Sequence, residues 1–94
     1  MSLVYILEDN IDIQETETYA LKDSGYVVEA FGCGKDFYEA IEKKVPDLVL
    51  LDITLPDDNG FNILTKLRNS PDTNKISIID KHNNSFNFYY QFKN

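Results

Sequence analysis

The chain has 94 residues and a net charge of −7, with 43% hydrophobic and 27% charged side chains. That is room for one domain with one core, and its longest apolar runs are far too short to cross a bilayer. Residues 1–60 hold 14 acidic side chains against 4 basic, whereas residues 61–94 hold 2 against 5; so acidic a body argues against direct binding of DNA or RNA, which needs clustered Lys and Arg.

The first element is Leu3-Val4-Tyr5-Ile6-Leu7, an apolar run of strand-forming residues that stops at Glu8-Asp9-Asn10. It reads as a buried parallel strand that ends in an acidic turn. Asp12 is the expected cap of a helix over residues 12–24, with Ile13, Ala20 and Leu21 inward. Gly25 should end that helix as a left-handed residue. A second strand is expected over Tyr26–Phe31, then a turn at Gly32-Cys33-Gly34. Cys33, the single cysteine, can form no internal disulfide, which fits a reducing cytoplasm; a turn residue is the expected role.

A second helix follows from about Lys35 to Lys44, with Phe37, Ala40 and Ile41 on one face, and Pro46 blocks its continuation. Leu48-Val49-Leu50-Leu51 is the most apolar strand and runs straight into Asp52. Pro56 to Gly60 should form a loop, Phe61–Arg68 a third helix with Phe61, Leu64 and Leu67 inward, and Ile76–Ile79 a fourth strand. Alternating strands and helices predict an α/β fold, a parallel sheet with helices on both faces.

In such sheets, sites form beyond the C-terminal ends of the strands, near the point where strand order reverses. The first strand delivers Glu8 and Asp9 there, and the third delivers Asp52. Two like charges ~4 Å apart repel by about 4 kcal/mol at an effective dielectric near 20. The cluster therefore calls for a proton or a divalent cation, and hard oxygen donors with positions left for water and phosphate suit Mg²⁺.

These residues carry a family resemblance. Leu7-Glu8-Asp9-Asn10, then Leu50-Leu51-Asp52-Ile53-Thr54-Leu55-Pro56 with Gly60-Phe61 beyond, and Gly25-Tyr26 and Pro46-Asp47 ahead of two strands, resemble the receiver domain of two-component response regulators. The likeness runs from residue 3 to about 79. It implies a flavodoxin-like fold with strand order 2-1-3-4. It also implies that Asp52 accepts a phosphoryl group from the phosphohistidine of a sensor histidine kinase. By the same resemblance Glu8 and Asp9, with Asp52, hold Mg²⁺, and the backbone carbonyl of Thr54 completes the metal site. The domain would be a phosphoacceptor rather than an enzyme acting on other molecules. The alternative is a receiver-derived oligomerising or binding module without phosphotransfer.

The likeness then breaks. Receiver domains follow the fourth strand with Ser or Thr, but here Ile79 is followed by Asp80-Lys81-His82-Asn83-Asn84. The family's fifth strand, with its lysine, and its last helices have no counterpart, so impaired switching is expected. Residues 1–81 read as a truncated receiver domain. Residues 82–94 read as a non-family tail, with 4 Asn and 5 aromatics among 13 residues. In that tail Phe86, Phe88, Tyr90 and Phe92 alternate with other side chains, the period of a strand. A homodimer through the tail or the open edge of the fourth strand is the expected assembly.

Overall fold

The hydrophobic runs become strands because they can be buried on both faces at once. In the computed structural model, which describes residues 2–51 and 60–80, the order is β1 (Leu3–Leu7), α1 (Ile11–Asp23), β2 (Val27–Phe31), α2 (Gly34–Lys43), β3 (Leu48–Leu51), α3 (Gly60–Asn69) and β4 (Ser77–Asp80). All pairings are parallel and the sheet order is β2-β1-β3-β4, as expected. β1 is central, and every one of its residues is buried.

Side-chain alternation divides the core into two layers. On one face Leu3, Tyr5, Leu7, Val49 and Leu51 meet Phe37 of α2 and Ile63 and Leu67 of α3. On the other, Val4, Ile6, Val28, Leu50 and Ile79 cluster with Leu21 of α1. Helices therefore cover both faces.

Three details depart from the sequence reading. Asn10, not Asp12, caps α1: its extended backbone lets Oδ1 accept the Ile13 N–H at 3.1 Å. Asp12 sits inside the first turn, where its charge favours the helix dipole. Ile13 and Ala20 face solvent, while Glu17 is buried beside Leu21. In α3 the fully buried residue is Ile63, four positions before Leu67, and Leu64 is only partly covered. Gly25 does end α1's turn, at φ 97°, in the left-handed region that glycine enters without a Cβ penalty.

Polar side chains tie the elements at the N-terminal end of the sheet. Asp47 Oδ2 accepts the Leu3 N–H at 2.8 Å, so the entries to β3 and β1 are fastened together. Arg68 Nη1 donates to the carbonyls of Asn74 and Ile76 at 3.0 and 2.7 Å, and buried Thr73 donates to the Leu67 carbonyl at 2.6 Å. α3 is thus clamped to the lead into β4.

Tyr5 does the same for α2. Its ring is 2% exposed, and its hydroxyl donates to the Lys44 carbonyl at 2.9 Å, with the Ala40 carbonyl at 3.5 Å. Tyr5→Phe should cost about 1 kcal/mol, the usual net worth of such a bond, in urea unfolding at neutral pH. Burial, and secondarily the charge of Glu29, raise the Tyr5 phenol above its ordinary value of 10.0. The folded state thus favours the protonated phenol. Its contribution is fully present below pH 10 and is lost as pH rises through the higher folded value. An alkaline titration of stability should therefore fall less steeply for Tyr5→Phe than for the parent; equal slopes would contradict this.

Candidate functional site

β1 ends at Leu7, and two carboxylates follow. The Glu8 backbone is held from two sides: its N–H donates to the Phe31 carbonyl at 2.9 Å, and its carbonyl accepts from the Gln14 amide at 3.0 Å. Its side chain is 3% exposed, and Oε2 accepts the Asn10 N–H at 3.0 Å. A buried carboxylate is costly unless hydrogen bonds or a cation offset its lost hydration. Asp9 is exposed. The pair is therefore split into one anchored oxygen donor and one that reaches solvent.

Asn10 serves both sides of this turn. Its N–H steadies Glu8 while its side chain starts α1, and Gln14 reaches back one turn later. Neither residue was singled out from sequence as part of the site. The available signal was a capping-type Asn directly after the acidic pair.

β3 reaches the same edge of the sheet. Leu51 is fully buried and lies opposite Leu7 in the parallel register, so the residues that precede Glu8 and Asp52 share one level of the ladder. Asp52 and Thr54 themselves lie outside the described residues, as do Lys81, His82 and the 82–94 segment. Among the described residues no three His, Cys, Asp or Glu side chains gather as metal ligands. Cys33 sits at the turn into α2, partly buried and making no capping hydrogen bond with its side chain. No helix among the described residues is long and apolar enough to cross a membrane.

Comparison with known proteins agrees with this architecture. The family described as response regulator receiver domain matches residues 4–91. The transcriptional regulatory protein CreB of Escherichia coli strain K12 is 38% identical over 64 residues, 68% of this chain and 28% of that protein. CiaR of Streptococcus pneumoniae is 34% identical over 79 residues, 84% of this chain and 35% of that one. The chain thus spans about a third of the length of these relatives.

Among solved structures, the N-terminal domain of a response regulator receiver protein from Methanoculleus marisnigri JR1 superposes with a TM-score of 0.80 at 26% identity, covering 85% of this chain and 65% of that one. The chemotaxis response regulator CheY4 of Vibrio cholerae gives 0.83 at 22% identity over 93% of this chain and 74% of its own, a likeness of fold. With strand order, register and acidic turn in place, the chain belongs to the receiver domain family of two-component response regulators.

Proposed function

We propose that this domain receives a phosphoryl group on Asp52 from the phosphohistidine of a sensor histidine kinase. The supporting observation is Glu8: a carboxylate buried and anchored at the C-terminal end of the central strand, one ladder level beyond the Leu7–Leu51 pair. In the proposed step a carboxylate oxygen of Asp52 attacks phosphorus in line. The P–N bond breaks, its electron pair stays on the imidazole, and the aspartyl phosphate forms.

The donor set fits Mg²⁺: Glu8 and Asp9 offer hard carboxylate oxygens, and Asp52 and the Thr54 carbonyl would complete it. When bound, the cation would offset charge on the phosphoryl oxygens. Glu8 is pre-positioned by the Asn10 N–H, so holding the site costs little further ordering. Switching should be weak. Asp80-Lys81-His82-Asn83-Asn84 after Ile79 contains no Ser or Thr to hydrogen-bond the phosphoryl group, a charge-assisted contact worth about 1.5–3 kcal/mol.

Incubation with acetyl phosphate and Mg²⁺, followed by intact mass and peptide mapping, tests the reading. The expected result is slow, substoichiometric gain of one phosphoryl group at Asp52, absent when the metal is chelated. No modification would favour the receiver-derived binding module instead.

The proposal extends to assembly and setting: a cytoplasmic receiver domain over residues 1–81, with residues 82–94 as a distinct tail, and two copies joined through that tail or the β4 edge. Among the described residues β4 pairs only with β3, which supports that edge as a contact. Sedimentation should give a dimer at tens of micromolar that dissociates when residues 83–94 are deleted; a monomer in both cases would refute it.

A further inference from the structure

The opposite edge of the sheet is β2, whose last residue, Phe31, meets the acidic turn through the Glu8 N–H. Val27 N–H donates to the Ser2 carbonyl and the Phe31 carbonyl accepts from Glu8, both on the β1 side. A parallel ladder alternates, so Val28 and Ala30 turn their N–H and C=O groups outward, where the sheet has no further strand among the described residues. Val27 is 46% exposed and Glu29 is exposed, so α2 leaves its side of this edge open, while the side chains of Val28 and Ala30 pack into the layer under α1.

Beside the edge, under α2, lies a cavity of about 520 Å³. The rings of Tyr5 and Phe31 and the methyl of Ala40 line it, together with the carboxylates of Glu29, Asp36 and Glu39. Lys43, at the far end of α2 from Asp36, and Lys44 just beyond the helix also line it. Glu29 faces the same layer as Tyr5, since the two are partners in the β1–β2 register. The influence of its charge on the Tyr5 phenol agrees with that placement.

An apolar strand would set nothing against a lining in which three carboxylates outnumber two lysines. A second copy of this chain, pairing edge to edge, would bring Glu29, Asp36 and Glu39 against the same three charges, which disfavours self-association here. A basic side chain meets both requirements: its stem lies on the aromatic rings and its charge reaches the carboxylates. We propose that the open edge of β2 takes an extended, basic segment of a partner protein as an added strand, seating a Lys or Arg side chain of that segment between Glu29, Asp36 and Glu39. Main-chain bonds to Val28 and Ala30 hold the segment, and the cavity selects its side chain, the division of labour usual in strand addition. This surface adjoins the proposed phosphoryl site at Phe31, and the proposal does not depend on phosphoryl transfer.

The probe is the capped pentapeptide Lys-Val-Lys-Val-Lys, titrated into the full chain while backbone amide resonances and hydrogen exchange are followed. Saturable binding should shift Val28, Ala30 and their neighbours and slow exchange of those two N–H groups at least tenfold. Glu29→Lys, at an exposed position, should weaken binding at least tenfold. Backbone N-methylation of the peptide, which keeps every charge but removes main-chain donors, should abolish it. Four results would each overturn the proposal: no binding at millimolar peptide, equal binding of the N-methylated peptide, shifts centred on Glu8 and Asp9, or a Glu29→Lys variant that binds like the parent.

Discussion

Asp52→Asn should leave the chain unmodified after prolonged incubation with acetyl phosphate and Mg²⁺, under conditions that label the parent. The amide keeps the shape of the side chain but is no nucleophile toward phosphorus. A second readout needs no phosphoryl donor. On the proposed site Asp52 would add a third carboxylate to Glu8 and Asp9 and repel them, so the variant should be more stable than the parent in metal-free buffer. Added Mg²⁺ should reverse the order. A ligand that binds only the folded state stabilises it by about 2.7 kcal/mol at a hundredfold excess over its dissociation constant. The parent should gain most of that and the variant much less. Labelling of Asp52→Asn at some other residue, or equal stabilisation of both proteins by Mg²⁺, would remove Asp52 from the site.

The largest loss of stability is expected from Phe37→Ala. Phe37 is fully buried on α2, and its ring meets those of Tyr5, Phe31 and Tyr38 edge-on, at centroid distances of 6.3, 6.1 and 5.8 Å. Truncation removes the transfer energy of the ring and leaves a void that β1 and β3, both fully packed, cannot collapse to fill. The cost should be about 3–5 kcal/mol, against a total of about 5–15 kcal/mol for a typical domain. Urea unfolding should show a much lower midpoint. Tyr19→Ala, at a position 75% exposed, is the control and should change stability by less than about 0.5 kcal/mol. A loss under 1 kcal/mol for Phe37→Ala would mean that this aromatic layer repacks freely.

Legibility in sequence followed the source of each element's stability. Leu3–Leu7 and Leu48–Leu51 were plain because parallel strands buried on both faces are continuously apolar, and such runs have few other homes. α1 was harder. Its inward stripe is Gln14, Glu17, Thr18 and Leu21, the spacing of a helix face but written mostly in polar letters. Hydrophobicity pointed to Ile13 and Ala20, whereas geometry buries Glu17, its carboxylate Oε1 included. The contacts of Asp47 with Leu3, and of Thr73 with Leu67, depend on where other segments pass, which no local pattern records. For the site, the acidic turn was readable as Glu8-Asp9. The division into an anchored and an exposed carboxylate was not, because it arises from Asn10 and from the neighbouring strand end at Phe31.

The parallel register also governs how the molecule comes apart. Leu3 pairs with Val27, Val4 with Leu48 and Leu48 with Ser77, so each strand pair closes a loop of more than twenty residues. No hairpin exists among the described strands to persist alone, and loss of the central strand removes two of the three pairings together. Each ladder repays its loop-closure entropy only once its neighbours are in place. Unfolding should accordingly be a single transition, with backbone and aromatic probes giving the same midpoint. The expected slow step of refolding is the search that brings β1, β2 and β3 into one ladder.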